Sequence, residues 1–181
     1  SRSTEYNALA CTLAVTALYE RLFTLPIEEL DVDRCCAAWP DADAWVARAR
    51  ELLDDSGLIE GAEKELRAKQ IGALELRAQL QTLRSVWPEL RERLRAQLLP
   101  LATLKRMLQA AGAPTEPEHI GLSRARLWRS YWQAFCIRRR FTVLDLAVRA
   151  GLLDGCLEHI FGPAGLWPTE TRELAQAAPQ S

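Results

Sequence analysis

The residues of this chain that could carry out chemistry are two histidines, five cysteines and a group of arginines. His119 and His159 are far apart in the sequence and show neither HxxxH nor HExxH spacing. Because a catalytic zinc site usually takes three protein ligands, these histidines predict no metal centre within the chain. We interpret His119 as part of a Pro-rich turn and His159 as a helix-end residue that the helix dipole favours.

The cysteines form an odd set without a CxxC pair: Cys11, Cys35, Cys36, Cys136 and Cys156. Adjacent Cys35 and Cys36 could pair only through a strained disulfide. We therefore expect five reduced thiols in a cytosolic protein. A cysteine nucleophile needs an activating partner, and the sequence shows none beside these residues. Cys11 and Cys136 stand among apolar residues, which predicts that they pack in the core.

Arginines form the one local excess of positive charge: Arg138, Arg139 and Arg140, with Arg124, Arg126 and Arg129 upstream. They could form a phosphate-binding edge, since guanidinium groups match phosphate geometry. Alternatively, they stabilise a helix C-terminus and pair with surface carboxylates, which is the interpretation we favour.

Four aromatic residues lie close together on the same segment: Trp128, Tyr131, Trp132 and Phe135. They could form a stacking platform for a ligand. Their helical spacing favours burial in the core instead.

The composition is that of an ordinary globular domain of 181 residues, with 26% charged and 49% apolar residues. A formal net charge of −1 gives no reason to expect nucleic acid or an anionic membrane as partner. No apolar run reaches the ~18–20 residues of a membrane-spanning helix. The start SRSTEY lacks a signal-peptide pattern. The chain enters a helical pattern at once, from which we expect a fragment.

Hydrophobic periodicity predicts an all-α fold, because apolar residues recur at helical spacing and no run alternates with period two. Asp31 or Asp33 could cap the second helix, and Asp41 the third. Ser56-Gly57 is expected to close the third helix, and Trp87-Pro88 to break the long fourth pattern. The predicted helices are 5–23, 35–39, 42–54, 60–86, 88–99, 101–111, 124–139, one from Thr142 to Gly151, and a last one to Phe161.

Helix-end signals are clearest in the second half of the chain. Ser123 can cap the helix that follows it, and TVLD at Thr142–Asp145 matches a capping box. Gly112 and Gly151 stand where helix-ending glycines are expected. The sequence therefore predicts one helical domain over residues 1–174 and a flexible tail at 175–181.

Residues 112–154 also resemble a known family. The phrases GAPTEPEHIGL and IRRRFTVLDLAVRAGLLD resemble the C-terminal helical region of sn-glycerol-1-phosphate dehydrogenases. These enzymes belong to the superfamily of dehydroquinate synthase-like and iron-containing alcohol dehydrogenase-like proteins. Thr12 and Leu18-Tyr19 fit a weaker likeness over residues 4–22.

The resemblance implies an oxidoreductase in which NAD(P)H reduces dihydroxyacetone phosphate to sn-glycerol 1-phosphate, for phospholipid biosynthesis. It implies a divalent metal, usually zinc, as Lewis acid. The family's metal is held by an Asp and two His. In this register Thr4 stands where a metal-ligand histidine is expected and Glu5 where a glycine is expected. Either the first residues are in error, or the register is shifted, or this member lacks the usual site.

No catalytic, cofactor-binding or metal-binding residue is therefore assigned within the chain. The partners implied are a missing N-terminal nucleotide-binding domain, a small phosphorylated substrate and, as an option, a second copy in a homo-oligomer. Nucleic acid and membrane insertion are not expected, and the expected location is the cytoplasm. The alternative is a stand-alone, non-catalytic helical interaction module derived from the same fold.

Overall fold

The protein is all-α over the part of the chain that the structure describes. A computed structural model gives the backbone of residues 2–53, 56–170 and 172–174, with side chains except those of residues 2–10 and Ser56. Every regular element in these ranges is helical, which confirms the predicted fold class. The α-helices are α1 (Arg2–Phe23), α2 (Val32–Ala37), α3 (Ala42–Leu52), α4 (Ser56–Lys69), α5 (Ala73–Gln97), α6 (Leu101–Ala110), α7 (Arg124–Cys136), α8 (Val143–Arg149) and α9 (Leu153–Phe161).

Two short 3-10 helices, Ile27–Glu29 and Pro117–Ile120, complete the regular structure in the same ranges. The predicted tail at 175–181 lies outside the described residues. The side chain of Thr4, where the family resemblance places a metal ligand, lies outside them too.

Helix α1 forms the centre of the core. It packs against α6, α8 and α9. Leu13, Leu18 and Leu22 are fully buried. The hydroxyl of Tyr131 in α7 donates a hydrogen bond of 2.7 Å to the carbonyl of Ala14. The C-terminal helices thus enclose one side of α1, while Val15 on the other side is exposed.

Helix α7 supplies most of the aromatic core. Trp128, Tyr131, Trp132 and Phe135 are all buried, so the prediction of a core stripe rather than a stacking platform is confirmed. Trp45 of α3 packs against Phe135 with ring centroids 5.1 Å apart. Each such ring contributes roughly 1.5–3 kcal/mol through burial, so the seam between α3 and α7 is a major source of stability.

The predicted caps are confirmed, with Asp31 rather than Asp33 as the cap of α2. The side chains of Asp31, Asp41 and Ser123 accept backbone N–H groups at the starts of α2, α3 and α7. Thr142 and Asp145 form the capping box of α8. Gly112 and Gly151 adopt φ values of 67° and 66° just after α6 and α8, a conformation that favours glycine.

Several predicted boundaries are wrong by a few residues. Helix α2 ends at Ala37 rather than at Trp39, and α3 ends at Leu52 rather than at 54. Helix α7 ends at Cys136 instead of 139. The carbonyl of Phe135 would accept the backbone N–H of Arg139 in a longer helix, but it accepts the Lys69 ammonium instead. Arg138–Arg140 therefore form a loop.

The predicted single helix over 60–86 is wrong, because residues 70–72 separate α4 from α5. Ser56-Gly57 begins α4 rather than closing α3. The indole N–H of Trp39 donates to the carbonyl of Ile71 at 3.1 Å, so a side chain takes the place of a helical hydrogen bond. Gly72 is the N-cap of α5. Leu74, in the first turn of α5, is 84% exposed.

The predicted break at Trp87-Pro88 is also wrong. Helix α5 continues through Pro88 to Gln97. Trp87 is fully buried and packs against Phe23 of α1, with ring centroids 6.4 Å apart. Burial of Trp87 and Leu80 together offsets the ~3 kcal/mol that an interior proline costs a helix. Tertiary packing therefore overrides the local signal.

Beyond α9 the chain stays attached to the core, which the Pro-rich sequence does not indicate. Trp167 is almost completely buried beside Phe161, with ring centroids 5.8 Å apart. Its indole N–H donates to the carbonyl of Thr115 at 3.3 Å. This contact joins the segment after α9 to the turn that precedes α7.

Replacing Pro88 with alanine should stabilise the protein. An interior helical proline costs about 3 kcal/mol, whereas its restriction of the unfolded chain recovers only about 0.4–1 kcal/mol. We therefore expect Pro88→Ala to raise the free energy of unfolding by roughly 2 kcal/mol in urea denaturation. Glu89→Ala, at the next and also exposed position, is the control and should shift it by less than about 0.5 kcal/mol. A decrease for Pro88→Ala would contradict this account of α5.

Candidate functional site

The histidines and cysteines do not form a reactive centre in the described part of the chain. His119 and His159 are exposed on separate elements, in agreement with their interpretation as turn and helix-end residues. Among the described residues, no group of three or more His, Cys, Asp or Glu side chains is arranged to hold a metal ion.

The cysteines are unpaired, but they occupy different environments. Cys136 is buried as predicted, while Cys11 is exposed, so the prediction of a core position is wrong for Cys11. The pattern of apolar neighbours misleads there because Cys11 lies on the uncovered side of α1. Burial raises the pKa of the Cys136 and Cys156 thiols to about 11. Both thiols are therefore protonated near neutral pH and are poor nucleophiles.

The arginines do not converge on a common site. Arg124 contacts Glu118 at 2.9 Å and Arg139 contacts both carboxylate oxygens of Glu65. Arg129 donates to the carbonyl of Leu52 at the end of α3. These contacts support the interpretation of the arginines as partners of carboxylates and helix ends. Arg129 ties α7 to the end of α3, and Arg139 ties the loop after α7 to α4.

The most unusual chemical feature of the structure is a buried ion pair between Lys69 and Asp145. Lys69 is the last residue of α4, and Asp145 lies in the first turn of α8. The ammonium and carboxylate are 3.2 Å apart, with side-chain exposures of only 7% and 3%. Lys69 also donates to the carbonyl of Phe135 and lies 3.5 Å from the centroid of its ring. One ammonium thus joins the ends of α4 and α7 to the start of α8.

Asp145 has a second role at the start of α8. Its Oδ2 atom accepts the backbone N–H of Thr142 at 2.9 Å, while Oδ1 faces Lys69. The carboxylate is therefore fully used by a helix cap and an ion pair. Such a pair adds little net stability when complete, but removing one partner typically costs about 3–5 kcal/mol. We infer that this centre positions helices and is not a reactive group open to solvent.

A groove between α5 and α8 lies next to this ion pair. Its lining residues are Ala78, Gln79, Leu80, Thr82, Leu83, Val86, Leu90, Phe141, Leu146 and Arg149. The groove has a volume of about 470 Å³. Arg149 donates to the side-chain oxygen of Gln79 and, at 3.5 Å, to the carbonyl of Lys69. Phe141 at the rim is 62% exposed.

Neither Lys69 nor Arg149 carries a signal in the sequence that marks it as a site residue. Lys69 and Asp145 are 76 positions apart, and neither has a neighbour in sequence that marks it as buried. The one relevant local signal is the cap pattern at Thr142–Asp145, which accounts for a carboxylate near a helix start without naming its cation.

Comparison of the chain with protein-family models, with curated proteins and with solved structures gives no match. In the described residues, no helix combines the length and apolar character that crossing a membrane requires.

Lys69 should make stability depend on pH in the alkaline range. Burial lowers the pKa of its ammonium below the ordinary value of 10.5, although Asp145 opposes the change. Between the lowered folded pKa and 10.5 the unfolded chain binds more protons, so stability contributed at this site rises with pH. We therefore expect the stability of the wild type, relative to Lys69→Met, to increase from pH 8 to pH 10.5 in urea denaturation. The Lys69→Met variant cancels the titration of groups that do not interact with Lys69. The Cys136 thiol does interact with Lys69, but it stays protonated in the folded wild type below its pKa of about 11. A difference that is constant or falls with pH would refute this assignment.

Proposed function

We propose that this helical domain belongs to a metal-dependent NAD(P)H oxidoreductase of the sn-glycerol-1-phosphate dehydrogenase type, acting in the cytoplasm on dihydroxyacetone phosphate. The single observation that supports the proposal is the segment 112–154. It combines the sequence likeness with a local structure in which the matching residues occupy conformationally demanding positions.

Gly112 and Gly121 have positive φ values of 67° and 73° on either side of the Pro-rich turn. Thr142 and Asp145 form a capping box, and Gly151 ends α8. The likeness therefore lies on residues that determine where helices begin and end and where the chain turns. It supports a family relationship of the helical domain more directly than it supports a particular reaction.

The proposal assigns the nicotinamide cofactor, the metal and most substrate contacts to a nucleotide-binding domain that packs against the helices. The described residues do not supply a metal site, because no suitable cluster of donor side chains is present among them. We therefore derive no catalytic step through zinc or another metal from these helices. The role proposed for the helices is to form one wall of an active-site cleft.

The proposal is tested by determining the complete coding sequence and by assaying the encoded protein for oxidation of NADPH or NADH. A strand–helix nucleotide-binding sequence should be joined to this domain. The purified product should oxidise NADPH or NADH only when dihydroxyacetone phosphate is added. Chelation should abolish that oxidation and zinc should restore it. Glyceraldehyde 3-phosphate, an isomer with an aldehyde in place of the ketone, is the control substrate.

Two outcomes would contradict the proposal. One is a complete gene that encodes the helical domain without a nucleotide-binding sequence, which would favour the non-catalytic interaction module. The other is a two-domain protein with no oxidation dependent on dihydroxyacetone phosphate.

A further inference from the structure

The groove between α5 and α8 combines apolar walls with one charged group. Nine of its ten lining residues are uncharged, and Arg149 is the exception. Leu83, Val86 and Leu90 form the α5 wall, and Val86 is 42% exposed. A volume of about 470 Å³ lies within the range of about 300–1,000 Å³ that is typical of small-molecule sites.

Arg149 is the one charged side chain that lines the groove, and other charged groups lie close to it. Lys69 and Arg149 both interact with Asp145, the buried carboxylate of this region. Glu75 also attracts Arg149, but Glu75 is exposed to solvent, where its effect is screened. Asp145 is buried and already paired with Lys69, so it is not free to neutralise Arg149 alone. The guanidinium of Arg149 therefore supplies the positive charge in the groove lining.

Arg149 is held in place before any ligand arrives. It donates to Gln79 and to the carbonyl of Lys69, and its guanidinium lies 5.1 Å from the centroid of the Phe141 ring. These contacts use Nη1 and Nη2, and a guanidinium has further N–H groups available for an anion. A fixed guanidinium binds a carboxylate with a smaller loss of side-chain entropy than a free one.

From these features we propose that the α5–α8 groove binds an amphipathic carboxylate with a single aliphatic chain, of the fatty-acid class. The chain lies along Leu83, Val86 and Leu90, and the carboxylate pairs with Arg149. The apolar walls offer few partners to a sugar or a nucleobase, and the guanidinium of Arg149 repels a cationic headgroup.

The test measures binding of three ligands that share a ten-carbon chain, namely decanoate, decanol and decylammonium, by calorimetry below their micelle concentrations. Decanoate should bind at least about tenfold more tightly than decanol, and decylammonium more weakly than decanol. Arg149→Gln should weaken decanoate about tenfold or more while changing decanol by less than about twofold. Equal affinity for decanoate and decanol, or no saturable binding of decanoate, would overturn the proposal.

Because Arg149→Gln also removes contacts within the protein, a second pair of variants tests the site at an exposed position. Val86→Glu and Val86→Gln are alike in size but differ in charge. Val86→Glu should weaken decanoate more than Val86→Gln does, while the two should affect decanol equally. Leu99→Ala, at an exposed position outside the groove, should leave all affinities unchanged. Equal effects of the two Val86 variants on decanoate would refute the charged part of the site. If sedimentation shows that the protein self-associates and that decanoate binding weakens as it does so, the groove binds a second copy, and the choice of ligand would be refuted.

Discussion

The ion pair between Lys69 and Asp145 is the constraint on which the packing of the C-terminal helices depends. A buried ammonium must be matched by a nearby carboxylate and by hydrogen-bond acceptors, or its desolvation is not compensated. Here Asp145 and the carbonyl of Phe135 meet that requirement. Since these groups come from three different helices, the requirement fixes where α4 ends, where α7 ends and where α8 begins.

The surrounding structure follows from this arrangement. With the Phe135 carbonyl occupied by Lys69, α7 stops at Cys136 and Arg138–Arg140 enter a loop, where Arg139 reaches Glu65 of α4. The chain then returns through Thr142 into α8. Arg149 at the end of α8 contacts the carbonyl of Lys69 and lines the groove against α5. The ion pair and the groove are therefore parts of one connected region.

The sequence predicts those features that depend on neighbours along the chain. The caps at Asp41, Ser123 and Thr142 could be read directly, because capping is a local hydrogen bond. Burial of the α7 aromatics could be read from helical spacing. The break at residues 70–72 and the continuation of α5 through Pro88 could not, because both are decided by contacts with distant residues.

In the candidate site, too, residues that the sequence indicates differ from residues that only distant contacts reveal. The histidines and the arginine run were candidate site residues because of their side-chain chemistry. The structure places the histidines apart at the surface. It ties Arg124, Arg129 and Arg139 to carboxylates and backbone carbonyls. Lys69, which has no local signal, lies at the junction of three helices. The family likeness over residues 112–154 adds a proposed context for this helical domain. How the helices pack around Lys69 and Asp145 can be tested whether or not the domain belongs to that family.

The most direct test of this account is a double-mutant cycle on Lys69 and Asp145, with Lys69→Met and Asp145→Asn. The asparagine retains an oxygen that can accept the Thr142 N–H, so the cycle reports the ion pair rather than the helix cap. Each single variant should lower the free energy of unfolding by about 3–5 kcal/mol, because it leaves the other buried charge without its hydrogen-bonding partner in the pair. A neutral Lys69 amine would still be such a partner, whereas methionine is not. The double variant should lose less than the sum of the two by at least about 1 kcal/mol. Additive losses within about 0.5 kcal/mol would contradict the central role of this pair.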